Sequence, residues 1–148
     1  MKNFKELRRS KGWIVVLATI VGISLGAYAF VNRAVSTQVY VTNCDMQDYK
    51  PESITKFCAD GGVTIASIEW ESWSKNGASG KGIYYANDCE PSCAEGKFHE
   101  ANVVITLSKI KSINGKPTLT FIDVATEDKK ELPLSDSWQD GWPLELAG

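Results

Sequence analysis

The most hydrophobic stretch of the chain is residues 13–31, WIVVLATIVGISLGAYAFV, which contains no charged side chain. As an α-helix this stretch would be about 28 Å long, close to the thickness of the hydrocarbon core of a bilayer. Five basic residues precede it, whereas Arg33 is the one basic residue that follows it closely. The positive-inside rule therefore predicts that residues 1–12 stay in the cytoplasm and that the rest of the chain is exported.

Two fates of the apolar segment are consistent with its sequence. In the first, residues 13–31 remain as a single-pass anchor in the cell membrane, with the C-terminal domain extracellular. In the second, they form a signal peptide, because Ala27-Tyr28-Ala29 fits the A-x-A cleavage pattern, and cleavage after Ala29 secretes the domain. We favour the anchor, since the apolar run continues through Phe30 and Val31, beyond that cleavage site.

Downstream of this segment the pattern changes to short runs of β-branched and aromatic residues, which are typical of strands. Residues 52–58 and 63–70 form a first pair of candidate strands, joined by a turn at Asp60-Gly61-Gly62, where glycine supplies positive φ. The parity of the apolar positions shifts around Ala66-Ser67, as a β-bulge would produce. Trp70 is the first residue that we assign to the core.

A second hairpin is predicted further along the chain. Residues 102–107 and 118–124 are the strands, and Asn114-Gly115 is a strong hairpin-turn signal between them. Residues 74–82, SKNGASGKG, predict a glycine-rich loop that feeds a strand at 83–85 with close backbone approach. This loop lacks the spacing of a phosphate-binding loop, so we reject a nucleotide site.

The stretches that flank these strands are more polar. Residues 32–43 mix Ser, Thr and Gln with Val and Tyr, and we interpret them as a stalk rather than an edge strand. Residues 127–148 are charged and broken by Pro, which predicts a tail whose Trp138 and Trp142 either dock on the domain or stay exposed. The predicted fold is all-β, a small antiparallel sandwich or open barrel over residues 44–126, preceded by one transmembrane or signal helix.

Charge is distributed unevenly along the chain. Residues 34–148 hold 10 Lys and Arg against 17 Asp and Glu, so the exported part is acidic. An acidic domain repels phosphate backbones, and no basic stripe interleaved with aromatic residues is present. Nucleic acid is therefore not expected as a partner.

All four cysteines follow the apolar segment, at Cys44, Cys58, Cys89 and Cys93. An even number of cysteines in an exported domain indicates disulfides. Four cysteines allow three pairings. We choose Cys44 with Cys58 and Cys89 with Cys93, because each pair closes a local loop bounded by turn-forming residues.

Metal sites are disfavoured by spacing. Cys89 and Cys93 are the only close cysteine pair, which is too few for a zinc site, and they do not match the C-x-x-C redox motif. Asp45, Asp48 and Asp60 flank the first cysteine loop but do not follow the calcium-loop pattern. We expect neither a metal nor a cofactor.

No set of residues forms a recognisable reaction centre. His99 has no nearby Ser or Cys in a nucleophile motif. Glu69 and Glu71 alternate along one candidate strand, and with Asp88 they are the acid and base candidates if the domain is an enzyme. Two carboxylates on one strand are more often its solvated face.

Aromatic residues are the other candidates for contact with a ligand or partner. Trp73, Tyr84 and Tyr85 lie in or beside candidate strands and, with Trp70, could form a flat platform for a sugar ring. Carbohydrate is therefore an alternative ligand class. Trp138 and Trp142 could instead anchor the tail to a protein partner.

Four different short motifs are distributed through the exported part. They are Ile54-x-x-x-Cys58-Ala59-Asp60-Gly61, Ile68-Glu69-Trp70-x-x-Trp73, Ala78-x-Gly80-x-Gly82, and N-D-C-x-P-x-C-A-x-G-x-F at 87–98. Over about residues 44–108 the chain resembles a group of small exported proteins of high-GC Gram-positive bacteria. The resemblance implies a secreted or membrane-tethered β domain with the same two disulfides, and it implies no particular activity. The charged continuation after Leu107 does not match.

Export and disulfides without a catalytic constellation favour a non-enzymatic binding or interaction module on the outer face of the cytoplasmic membrane. The expected partner is another envelope or membrane protein. The alternatives are a cell-envelope enzyme that acts on wall polymer and an accessory subunit of a membrane complex.

Overall fold

The computed structural model describes the backbone of residues 4–59 and 61–144, and the side chains of residues 14–31, 38–59 and 61–144. The chain divides between Gln38 and Val39 into two compact units, which are described in turn. The first is a helix, and the second is a β domain with its own core.

The helix, α1, spans Phe4–Thr37. Within it, Ile14–Val31 has a mean hydropathy of 2.4 and is long and apolar enough to cross a membrane. None of this stretch is buried, and Ile23 and Phe30 are 70% and 77% exposed. The expected N-terminal apolar helix is therefore present.

Eight strands follow the helix among the described residues. They are β1 (Tyr40–Asn43), β2 (Met46–Asp48), β3 (Ile54–Thr55), β4 (Val63–Ser74), β5 (Gly77–Asn87), β6 (Phe98–Ile113), β7 (Lys116–Thr126) and β8 (Gln139–Pro143). They form one sheet in the order β2-β1-β7-β6-β5-β4-β3, and β8 pairs with β7. The pairing of β1 with β7 is parallel, and the others are antiparallel.

The first and last strands of the domain share one edge of β7. β1 lies opposite Thr118 and Leu119, and β8 lies opposite Phe121 and the residues that follow it. Between the positions of β1 and β8 along β7, the Leu144 N–H donates to the Thr120 carbonyl over 2.8 Å. The two short strands therefore complete a single edge between them.

The sheet curls until its two ends approach each other, and we call the line where they meet the seam. There, Asn43 of β1 reaches β3: its Nδ2 donates to the Ser53 carbonyl (3.0 Å), and its Oδ1 accepts from the Thr55 N–H (3.2 Å). Lys56, just after β3, forms a 2.6 Å ion pair with Asp140 of β8. Among the described residues, side chains thus join the two ends of the sheet where no strand pairing connects them.

The core fills the inside of the curl. Ile105 of β6 lies opposite Val124 of β7, and both are fully buried. On the other side of β6, Gly80 of β5 lies opposite Ile105, and a Cβ there would lie 2.6 Å from the Glu69 carbonyl oxygen and 3.1 Å from Trp70 Cε3. The large side chain of Trp70 on β4 thus packs where Gly80 of β5 has no side chain.

The predicted all-β fold is confirmed, and of the two architectures expected the structure is the open barrel. Both predicted disulfides are present, Cys44–Cys58 and Cys89–Cys93. The predicted bulge is also present, since the β4–β5 register shifts after Ala66 and Ser67 has a φ of 53°. The Asn114-Gly115 turn joins β6 to β7 as expected.

The structure differs from the expected stalk. Residues 40–43 form β1, and Val39 and Val41 are 3% and 0% exposed. The short polar residues around them suggested a linker, but Val41 pairs in parallel with Leu119 and belongs to the core. Parallel pairing joins segments distant in sequence, so local pattern does not reveal it.

Two further segments are more ordered than their sequences indicated. Within the expected loop 74–82, only Lys75 and Asn76 lie between strands, because the small residues are in β5. In the expected tail, Gln139–Pro143 is β8, and Trp142 is 6% exposed. Trp142 therefore docks on the domain, whereas Trp138 stays 40% exposed.

Candidate functional site

Strand direction gives the open barrel two distinct ends. At one end β1 and β7 begin and the turns at 75–76 and 114–115 join neighbouring strands. We call this the basic end, because its exposed charges include Lys50, Lys75, Lys111 and Lys116. At the opposite, acidic end lie the loops 88–97 and 127–138, which together contain seven Asp and Glu and three Lys.

The loop 88–97 is held from within. Asn87 Oδ1 accepts from the Cys89 N–H (2.9 Å), and Asn87 Nδ2 donates to the Cys93 carbonyl (2.8 Å). A Cβ at Gly96 would overlap Asn87 Oδ1 and lie 2.7 Å from the Cys89 nitrogen. Only glycine fits against this amide, so Asn87, Gly96 and the disulfide specify one loop conformation together.

Asp88 braces the same loop. Its Oδ1 accepts from the Lys97 N–H (2.8 Å) and the Glu90 N–H (3.2 Å). These two donors, followed by His99 at 3.4 Å from Oδ2, hold the pKa of Asp88 below its ordinary value. A general acid needs a raised pKa, so this carboxylate suits a structural role better than an acid's role.

The N-D-C-x-P-x-C-A-x-G-x-F motif is therefore explained by loop geometry. Its Asn, Asp, Cys and Gly residues build the scaffold, and Glu90, Ser92, Glu95 and Phe98 are exposed on it. Phe98, at the start of β6, is 58% exposed. The loop displays an aromatic ring and two carboxylates on a fixed backbone.

The acid and base candidates lie in two separate places. Glu69 and Glu71 are exposed on β4, where Glu69 pairs with Lys81 of β5. Asp88 lies seven residues beyond Lys81 on the same hairpin, which corresponds to about 20 Å along the strand. Asp88 is therefore too far along the sheet to form a carboxylate pair of glycosidase spacing with Glu69 or Glu71.

A cavity of about 430 Å³ opens at the seam. Its lining includes Lys56, Phe57, Trp142 and the Cys44–Cys58 disulfide. The Lys56 ammonium lies 5.4 Å from the centre of the Phe57 ring and 5.0 Å from that of Trp142, in addition to its Asp140 partner. Lys56 thus lines the cavity with a cation that the protein's own aromatic rings and Asp140 already contact.

Two buried polar atoms lie beside the seam cavity without a hydrogen-bond partner. They are Thr42 Oγ1 and Trp142 Nε1. An unpaired buried donor typically costs about 1–3 kcal/mol. Both atoms are enclosed by protein, so neither points a free donor into the cavity.

The predicted aromatic platform is not assembled. Tyr84 is 4% exposed, and burial followed by the Asp140 charge raises its pKa, so it belongs to the core. Tyr85 points to the other face of β5 and is half-buried. Trp73 instead packs edge-on against Trp70, with ring centres 4.7 Å apart, and against Tyr49 at 5.9 Å.

The structure offers no metal-binding cluster within residues 4–59 and 61–144. Asp45 lies in the turn after β1 and Asp48 at the end of β2, and Asp60 is outside the described residues. All four cysteines are in disulfides.

No family model, curated protein or solved structure matches this chain.

Several residues of the seam carried no signal in the sequence. Lys56 and Asp140 are 84 residues apart, and each looks like an ordinary surface charge until the sheet curls. Asn43 was predicted to end a polar stalk. The only sequence clue was Cys58, whose pairing with Cys44 implied that residues near 44 and 58 meet.

Proposed function

We propose that this chain is an extracytoplasmic binding module, a non-enzymatic β domain tethered to the cytoplasmic membrane by α1. Its partner is another envelope or membrane protein, bound at the acidic end. The observation that carries the proposal is the rigid loop 88–97, which fixes exposed side chains without assembling a reaction centre. The remaining support comes from the helix and the disulfides.

The tether is supported by the uncovered apolar face of α1. No residue of Ile14–Val31 is buried among the described residues. Apolar area left in water costs about 25 cal/mol per Å², so such a helix requires lipid or another cover. The charge asymmetry around it favours a cytoplasmic N-terminus.

Export is supported by the disulfides. Cys44–Cys58 and Cys89–Cys93 account for all four cysteines. Disulfides persist in oxidising compartments and are rare in reducing ones. A β domain with both pairs closed is suited to the outer side of the membrane.

The tether is tested on the full-length chain in a bacterial membrane. Alkaline extraction of the membranes, followed by mass spectrometry of the intact protein, should recover a chain with its original N-terminus in the pellet. A soluble chain that begins at Phe30 would contradict the tether and support the secreted alternative.

Binding is tested by mild crosslinking in the native envelope. The variant E90K/E95K reverses two charges on the loop 88–97, and E69K/E71K makes the same net change on β4, away from the loop. We expect the loop variant to lose the partner that the wild type and the β4 variant both capture. Equal capture by all three proteins would contradict binding at the acidic end.

A further inference from the structure

The basic end of the domain concentrates charge of one sign. Lys75 is in the β4–β5 turn, Lys116 begins β7 and Lys50 follows β2, and all three are exposed. Lys111 lies two residues before the end of β6. Asp48 and Glu52, on either side of Lys50, are the carboxylates within two residues of these four lysines. An otherwise acidic domain therefore has one positively charged end.

Aromatic rings accompany these lysines. The Lys116 ammonium lies 4.8 Å above the Tyr40 ring, and that of Lys50 lies 5.8 Å from the Tyr49 ring. Tyr49 is 48% exposed. Amphipathic rings next to lysines are the composition that proteins place at the boundary between membrane and water.

The aromatic cluster is fixed to the first residue of the domain. Trp73 packs against Tyr49, and its Nε1–H donates to the Val39 carbonyl over 2.9 Å. Tyr49 therefore lies at the level where the chain enters the sheet. The cluster cannot move away from Val39 without breaking this hydrogen bond.

Connectivity limits how far this end can be from the apolar span. The helix continues from Val31 to Thr37, which adds about 9 Å. Two more residues lead to Val39, at most about 7 Å further. These limits hold for every angle between helix and domain. With Ile14–Val31 in a membrane, Val39 is within about 16 Å of the hydrocarbon, in or just above the headgroup layer.

We propose that the basic end, defined by Lys50, Lys75, Lys111 and Lys116 with Tyr40 and Tyr49, docks on anionic lipid headgroups of the membrane that holds α1. The inference rests on the tether proposed above. Docking leaves the acidic end facing away from the membrane, because anionic headgroups repel its carboxylates. The acidic end is then free to meet a partner.

The expected size of the effect follows from surface electrostatics. Each lysine near an anionic membrane surface favours the docked state by roughly fivefold. The attraction decays over a Debye length, which is about 8 Å at physiological ionic strength and about 3 Å at 1 M salt. Docking should therefore depend steeply on lipid charge and on salt.

The experiment uses the full-length chain in nanodiscs and measures amide hydrogen exchange. One nanodisc contains phosphatidylcholine alone, and the other contains about 30% phosphatidylglycerol. We expect slower exchange at residues 74–77 and 113–116 in the anionic nanodiscs, and loss of this protection in about 1 M salt. The loop 88–97 should exchange equally in both.

Two triple variants with reversed charge test whether the basic end is responsible for the protection. K50E/K75E/K116E should abolish the protection in anionic nanodiscs. K97E/K129E/K130E, which makes the same charge change at the acidic end, should retain it. Salt dependence of the wild type gives the same answer if the triple variant fails to fold.

The outcomes separate the two proposals. A chain that does not remain with the nanodiscs contradicts the tether and, with it, this inference. A chain that remains with both nanodiscs but exchanges equally at residues 74–77 and 113–116 contradicts the lipid-docking surface alone.

Discussion

The two ends of the open barrel differ in how their backbone is held as well as in charge. At the basic end, two-residue turns join β4 to β5 and β6 to β7, and both residues of the Asn114-Gly115 turn have positive φ. At the acidic end the connections are longer, as in the loops 88–97 and 127–138. The Cys89–Cys93 disulfide lies within the loop 88–97, whereas Cys44–Cys58 lines the seam cavity.

This difference follows from loop length. A two-residue turn is specified by its own φ and ψ values and by the strands that it joins. A ten-residue loop loses more entropy on closure and needs fixed contacts of its own. The chain supplies them as the Cys89–Cys93 disulfide and the side chains of Asn87 and Asp88. The acidic end thus consists of long loops, one of which is held by a disulfide, and the basic end consists of tight two-residue turns.

The largest loss of stability is expected in β8, which contributes Trp142 to the core and Asp140 to the seam. Trp142→Ala removes a 6% exposed side chain from the core and should lower the free energy of unfolding by about 3–5 kcal/mol. Trp138→Ala, at a 40% exposed position, should cost less than about 1 kcal/mol. Urea denaturation of the full chain in detergent, followed by far-UV circular dichroism, measures both. Equal losses would mean that β8 is not part of the folded unit.

The two disulfides should differ in the same measurement. Cys44→Ala/Cys58→Ala opens a loop with a separation of 14 residues, which should cost about 3 kcal/mol on the chain-entropy model. Cys89→Ala/Cys93→Ala opens a loop with a separation of four and should cost about 2 kcal/mol. Hydrogen exchange at the turns 75–76 and 114–115 should be unchanged in the second variant. Faster exchange there would show that the two ends are not independent.

The features that could be predicted from the sequence are local in the chain. The apolar helix, the bulge at Ala66-Ser67, the Asn114-Gly115 turn and both disulfides depend on residues close together in sequence. Their geometry follows from periodicity, glycine φ values and cysteine spacing. Residues 87–98 could be recognised as a motif, but the roles of Asn87, Asp88 and Gly96 in holding the loop could not be predicted.

The features that were missed depend on contacts between distant segments. β1 pairs with β7 across more than 70 residues, from Val41 to Leu119, and Lys56 meets Asp140 across the seam. Glycines suggested a loop at 74–82, yet Gly80 is in β5, where it packs closely against the Glu69 carbonyl and Trp70 of β4. In each case tertiary packing overrode the local preference of the residues.

Two glycines test the contrast between the ends at the level of a single methyl group. Gly96→Ala places a Cβ against Asn87 and the Cys89 backbone and should cost about 1–3 kcal/mol. Gly115→Ala has open space but a φ of +76°, and should cost about 1 kcal/mol. Denaturation midpoints compare the two variants, and hydrogen exchange should locate the first loss in the loop 88–97. A larger loss for Gly115→Ala would contradict the packed loop.

The smallest expected effect is a pH dependence confined to the acidic end. Backbone donors from Lys97 and Glu90 lower the pKa of Asp88 in the folded loop, so the folded value lies below the ordinary 3.8. The stabilisation is therefore present above about pH 4 and is lost as the pH falls through the folded pKa.

Amide resonances of Lys97 and Glu90, followed by NMR in detergent micelles, should titrate together with a midpoint below 3.8. Asp88→Asn should abolish this titration and speed hydrogen exchange in the loop, while the amides of the Asn114-Gly115 turn stay unchanged. A midpoint at or above 3.8 would mean that Asp88 does not accept the two N–H groups, and that the Cys89–Cys93 disulfide and Asn87 hold the loop without it.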